Sequence, residues 1–272
     1  MRKRKALLAV LLLLLQCNST GSTQEESVAA VKNEDSRVGM VPVHQGLFIY
    51  GTTEEEFQLL VRSRTINFPG LEENLRKMFE IPPQTLALPL FYVDRFEVTN
   101  EEFWEFITAT AYRPENGNDY LKHWQGRTKF PDWAATFPVV WVSQTDAQAY
   151  CEWNQKRLPT EEEWEKAARG DSGARFPWGD TPPTGETSNI STDRLEPVGN
   201  RPEDRSQYGA YDFAGNVSEL TSSTIQGRFG KKVLIRGGCF RSGADESATF
   251  YRRAIRGPDE RAEHIGFRCV AD

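Results

Sequence analysis

The 272-residue sequence predicts one loop-rich domain, from about Val38 to Asp272, that mixes short α-helices with short β-strands. Three observations carry this expectation. Capping signals mark three helix starts, at Thr99, Ser143 and Thr160. Runs rich in β-branched and aromatic residues mark strands between them. Residues 171–230 are dense in Pro, Gly, Asn, Asp and Ser, which predicts a long stretch of ordered loop.

Residues 1–5 are basic and residues 6–15 are continuously apolar, a run too short to span a bilayer. Residues 1–22 therefore predict a secretory signal, and the polar residues 23–37 a flexible tether. Cys17 follows Leu14-Leu15-Gln16, so lipidation at Cys17 competes with ordinary cleavage after Ser19 or Gly21. Either way the expectation is an exported protein, periplasmic or at the cell surface, that meets a membrane only through an N-terminal lipid. Roughly 250 residues remain after the signal, near the upper size for a single hydrophobic core. A net charge of −6 argues against nucleic acid as a partner, because phosphate backbones select clustered cationic surfaces.

Within the domain, residues 39–51 alternate loosely and end on Gly, as a strand and turn would. Phe57, Leu60 and Val61, then Leu71, Leu75, Met78 and Phe79, have helical spacing on either side of Pro69-Gly70, which predicts two short helices. Residues 91–98 read as a strand. Thr99 with Glu102 forms a capping box for a helix carrying Phe103, Phe106 and Ile107. Strand then helix recurs with residues 137–142 and a helix from Ser143 to Trp153 that places Ala147 and Cys151 on one face. Thr160 and Glu163 make a further capping box, with Glu161, Glu162 and Glu163 where the helix dipole favours negative charge, and Gly170 ends that helix. Residues 233–239 and 265–270 are the last strand candidates, joined by an arginine-rich loop.

Seven segments carry a family resemblance. They are Phe91-Tyr-Val-Asp-Arg-Phe-Glu-Val-Thr-Asn100, Ala149-Tyr-Cys-Glu-Trp153, Lys156-Arg-Leu-Pro-Thr-Glu-Glu-Glu-Trp164, Phe176-Pro-Trp-Gly179, residues 208–219, Arg236-Gly-Gly238 and Gly266-Phe-Arg-Cys269. In this order they resemble the formylglycine-generating enzyme, or sulfatase-modifying factor, family. The resemblance implies an α+β, C-type-lectin-like fold with little regular secondary structure, and it is weakest over residues 52–88, read as a local elaboration. It also implies a disulfide between Cys151 and Cys269, whose rival is a pair of buried free thiols. It implies structural calcium held by Asp212 and Glu219 side chains with Gly215 and Val217 carbonyls, and a second site at Asn189 and Ile190. The competing reading of the first is a turn in which Asp212 caps backbone amides and Glu219 is solvated.

Family members that oxidise a substrate cysteine use two thiols in the loop after the Arg-Gly-Gly segment to hold Cu(I). Residues 240–256 contain no cysteine, and Ser242 with Ser247 or Ala248 stand nearest those thiols, which argues against copper. Cys239 stands where active members carry serine, and is read as a buried apolar residue, with intermolecular pairing or a remaining reactive thiol as the alternatives. Ser218 and Leu220 replace two tryptophans usual in the family. The three histidines, His44, His123 and His264, have no helical spacing to one another, which argues against the iron used by another branch. Arg241, Phe250, Tyr251, Arg252, Arg253 and Arg256 form a candidate ligand surface for a protein, peptide or glycan, against a rival reading of internal ion pairs. The sequence thus points to an exported, non-catalytic binding or scaffold domain of the cell envelope. The alternative is an oxidoreductase of the formylglycine-generating type acting on exported protein substrates.

Overall fold

The computed structural model describes residues 37–62, 69–79, 81–228 and 230–272, so the predicted signal, most of the tether and Cys17 lie outside the described residues. Strand β1 (Met40–Val43) pairs antiparallel with β4 (Phe91–Asp94), which pairs with β9 (Val270–Ala271). Strands β2 (Gly46–Tyr50) and β3 (Gln84–Leu88) make a separate antiparallel ribbon. The third sheet runs β7 (Arg252–Ile255), β6 (Gly230–Arg236), β5 (Ser218–Gly227), β8 (Ile265–Gly266), with β5 and β8 parallel. The last eight residues therefore join two sheets, because β8 extends one and β9 closes the other.

Helices α1 (Glu54–Arg62) and α2 (Leu71–Phe79) fall where the apolar spacing placed them. The starts of α3 (Asn100–Thr110), α4 (Gln144–Trp153) and α5 (Glu161–Arg169) carry complete capping boxes, at Thr99/Glu102, Ser143/Asp146 and Thr160/Glu163. Each box satisfies two of the amide donors that a helix start leaves unpaired. Phe103 and Phe106 of α3 stack and edge against Tyr150 of α4, and Phe267 closes the group from below. A second cluster places Trp164, Ala167 and Ala168 of α5 against Val41, Phe91 and Val93 of the first sheet. The Cys151–Cys269 disulfide lies within the first of these clusters and links α4 to the segment between β8 and β9.

Several local expectations are corrected. Residues 137–142 are not a strand, since only Pro138 makes a bridge, to Thr99. The strand predicted for 91–98 ends at Asp94, and residues 265–270 split into two short strands in different sheets. Strand β5 emerges from the stretch read as loop, and β7 from the arginine-rich loop. The elaboration at 52–88 packs on the core: Leu60 of α1 joins Phe176, Ala248, Phe250 and Tyr251 in a third cluster. Its Glu56 carboxylate meets the buried Arg169 at 2.6 Å. Among the described residues, no helix is long and apolar enough to cross a membrane.

Candidate functional site

The loop after β6 begins with two glycines in a backbone conformation that strains any other residue. Gly237 and Gly238 have φ of +88° and +69°, and a Cβ on Gly238 would lie 2.7 Å from the Glu246 carbonyl oxygen. Arg236, just before them, donates to Glu161 at 2.9 Å, to Glu165 at 2.6 Å and to the Thr249 carbonyl at 2.6 Å, all buried. Its guanidinium thus ties both ends of the C-terminal loop to α5. Thr249 in turn donates to the Ala174 carbonyl, so the loop is pinned along its length.

Cys239 is a buried free thiol. Its amide donates to Ser242 Oγ at 3.0 Å, and its sulfur lies 3.6 Å from the same oxygen. Ser247 is fully buried and donates to the Gly243 carbonyl at 3.2 Å. Ser242 and Ser247 are thus both folded into the loop's own hydrogen bonding. The enclosed space lined by Ser218, Gly238, Ser242 and Tyr251 has a volume of only about 10 Å³. That is about the volume of a single water probe.

Under this loop lies a concentration of buried acid. Glu219 accepts from Arg268 through both oxygens at 2.7 Å and from the Trp164 indole at 2.8 Å. Asp212, at φ +60°, accepts from the Gly199 amide at 2.6 Å. Glu97 accepts from Asn216 Nδ2 at 2.6 Å and from the Val217 amide at 3.1 Å. Asp204 accepts weakly from the Ala214 amide, and its other oxygen is buried with no partner. Burial, followed by the Asp212 and Glu219 charges, raises Glu97 well above the usual carboxylate range. Burial followed by Asp212 does the same to Asp204, and burial lifts Asp212 to about 6. Four buried carboxyl groups thus face a single guanidinium, Arg268.

The other residues of the sequence-predicted sites are distributed differently. Glu219 is buried and ion-paired, which corrects the reading of it as solvated. Asn189 ties loops together: its carbonyl accepts the Asn216 amide, and its side-chain oxygen accepts the Thr192 hydroxyl at 2.7 Å. Ile190 beside it is buried. In the predicted ligand surface, Phe250 and Tyr251 are 3% and 6% exposed, because α1 covers them; this corrects their reading as presented rings. Arg252 turns inward to Glu161 at 2.8 Å, while Arg241, Arg253 and Arg256 are exposed, Arg241 with Glu263 as partner. The surface is therefore three separate cations, with no aromatic platform between them.

Sequence reasoning missed a cleft of about 830 Å³ on the other side of residues 239–242. Residues 131–141 form one wall and 193–200 the other, with Asn100, His123 and Phe240 reaching into it. The Asn100 amide nitrogen donates to the Ala134 and Phe137 carbonyls, which fixes Oδ1 as the acceptor for His123 Nε2 at 2.7 Å and Trp124 Nε1 at 2.8 Å. His123 Nε2 therefore carries a proton, and burial, which disfavours the charged ring, lowers its pKa to about 4. The signal in the sequence was the density of rings and prolines in residues 131–141.

Comparisons with known proteins agree with this architecture. The Sulfatase-modifying factor enzyme 1-like domain matches residues 25–272. The inactive C-alpha-formylglycine-generating enzyme 2 of Bos taurus is 32% identical over 243 residues, covering 71% of this chain and 80% of that protein. The formylglycine-generating enzyme of Mus musculus is 30% identical over 299 residues, covering 86% and 75%. PvdO from Pseudomonas aeruginosa shares the fold with a TM-score of 0.63 at 22% identity, covering 86% of this chain and 94% of that one. With the match spanning the whole described domain, the chain belongs to the sulfatase-modifying factor (formylglycine-generating enzyme) family.

Proposed function

We propose that this chain is an exported, non-catalytic member of the family that acts by binding, as an envelope or surface scaffold. The carrying observation is that Ser242 and Ser247 are tied into their own loop, with only about 10 Å³ of enclosed space beside Ser242. Two hydroxyls hydrogen-bonded within their own loop offer no soft thiolate for Cu(I), and about 10 Å³ leaves no room for a substrate thiol. Similarity to a bovine relative named as inactive supports the same reading. Export is supported by the basic and apolar residues 1–22 and by the Cys151–Cys269 bond, since disulfides persist in oxidising compartments.

The alternative, an oxidoreductase of the formylglycine-generating type, rests on Cys239, the free thiol beside Ser242. Titration of the reduced protein with Cu(I), with and without Cys239→Ser, separates the two. The binding role predicts no stoichiometric copper site that depends on Cys239; a tight one-to-one complex lost in the variant would overturn it.

Calcium belongs to the proposal as a structural ion. The residues fit it, because four buried carboxyls share one guanidinium and Asp204 keeps an unpartnered oxygen. Asp212, with the Gly215 and Val217 carbonyls, would hold the ion, and Glu219 would join only by sharing oxygens that now accept from Arg268. Among the described residues, no three acidic, histidine or cysteine side chains gather into a metal-holding group, so backbone oxygens are required. The ion would supply the positive charge that this buried acid lacks.

A further inference from the structure

The cleft between residues 131–141 and 193–200 has the volume of a small-ligand site, and its chemistry selects among ligands. Trp133 projects at its edge with 72% of its surface exposed, held edge-on against Phe137 at 5.2 Å between ring centres. An exposed indole of this kind is an apolar surface waiting for cover. Deeper in, Trp141 sits at φ +56°, a conformation costly for a bulky side chain and concentrated at sites where structure serves a ligand. The Lys122 ammonium lies 4.7 Å from the centre of its ring.

Charge on the cleft cancels. Arg241 pairs with Glu263, Glu196 pairs with Arg201, and Asp193 adjoins Arg194. His123 is neutral. The lining therefore shows no excess of either sign that would draw in a strongly charged ligand.

The walls also offer an extended peptide few main-chain donors. Peptides in grooves are held largely by main-chain hydrogen bonds. Here the amides of Ala134, Phe137, Val139 and Trp141 on one wall already donate to protein carbonyls, and Val198 on the other donates to Thr136. The Glu196 amide donates to Asn216 Oδ1. Pro131, Pro138 and Pro197 have no N–H to offer. What remains at the mouth are the exposed side chains of Gln125, Asp193, Arg194 and Asn200, planar groups suited to neighbouring hydroxyls that both donate and accept.

We propose that this cleft binds a neutral oligosaccharide of glucose-configured pyranoses, with a ring stacked on Trp133. All-equatorial substituents leave C–H bonds across the ring faces and hydroxyls around the edge, the division that indoles and planar polar groups match. This deepens the binding role proposed above and rests on it.

The test is calorimetry and tryptophan fluorescence on the full chain with chitotetraose, cellotetraose and laminaritetraose as probes. At least one should bind and perturb the fluorescence, and Trp133→Ala should weaken it about tenfold, equivalent to about 1.4 kcal/mol. Because Trp133 is exposed, the variant should keep the parent melting temperature. Arg194→Ala, also at the exposed mouth, should weaken the same probe. The proposal is overturned if all three probes fail at millimolar concentration, if Trp133→Ala binds as tightly as the parent, or if a decaproline peptide displaces the sugar. Loss of saccharide binding alone leaves the non-catalytic role standing, whereas cysteine oxidation by the protein would remove that role without touching the cleft.

Discussion

Arg268 and Glu219, neither with any exposed side-chain surface, meet through two hydrogen bonds of 2.7 Å beneath the C-terminal loop. The same guanidinium donates to the Tyr211 carbonyl at 2.7 Å and lies 3.9 Å from the centre of the Phe213 ring. It is the one cation among four buried carboxyls. Removing it strands Glu219 in the interior, where an uncompensated charge typically costs about 3 to 5 kcal/mol. Arg268→Ala should lower urea-unfolding stability by that amount. A loss under about 1 kcal/mol, the scale of an exposed pair, would mean that the acid cluster is solvated.

Calcium should act on the same cluster with a defined pH dependence. Burial raises Asp212 from 3.8 to about 6, so the folded state holds its proton where the unfolded chain has released it. The metal-free protein therefore loses this contribution as pH rises from about 4 through 6. An ion that binds the carboxylate restores it above 6. At 100 times its dissociation constant, calcium should add about 2.7 kcal/mol at pH 7.5 and much less at pH 5. Thermal melts with EDTA or calcium at both pH values, repeated with Asp212→Ala, read this directly; equal melting temperatures throughout would remove the ion from the account.

The Cys151–Cys269 bond closes a sequence separation of 118 residues. Chain-entropy arguments give about 4 to 5 kcal/mol for a loop of that length. Denaturant titration of Cys151→Ala/Cys269→Ala should show that loss, whereas Cys239→Ala, which breaks no bond, should cost far less.

His123 should remain neutral well into acid. Its folded value of about 4 lies below the ordinary 6.5, so between those limits the unfolded chain takes up a proton that the folded one refuses. Stability from this group is thus present above 6.5 and falls as pH drops, by up to roughly 3 kcal/mol. An NMR titration should place its midpoint near 4, and His123→Gln should flatten the acid side of the stability curve. A midpoint near 6.5 would show that the ring is hydrated rather than buried.

The legible parts of the fold were those written locally. Thr99/Glu102 and Thr160/Glu163 fix helix starts within four residues of chain, and the structure shows both boxes closed. Strands β5 and β7 were hidden because their burial is decided elsewhere. Glu219 enters a strand only because Arg268 neutralises it, and Arg252 because Glu161 waits opposite. Phe250 and Tyr251 looked like surface rings until α1 covered them from about 190 residues away in sequence. The Cys151–Cys269 bond was implied by family resemblance, not by spacing. The cleft escaped notice because its walls, 131–141 and 193–200, carry no chemical motif and meet only in three dimensions.

The most direct measurement of the central claim is mass spectrometry of a cysteine-containing substrate peptide incubated in air with copper-loaded, reduced protein. With no cysteine in residues 240–256 and about 10 Å³ of enclosed space beside Ser242, the peptide should return with its thiol unchanged. Conversion of that cysteine to formylglycine, abolished in Cys239→Ser, would contradict the non-catalytic role and make the chain an enzyme built on a single thiol.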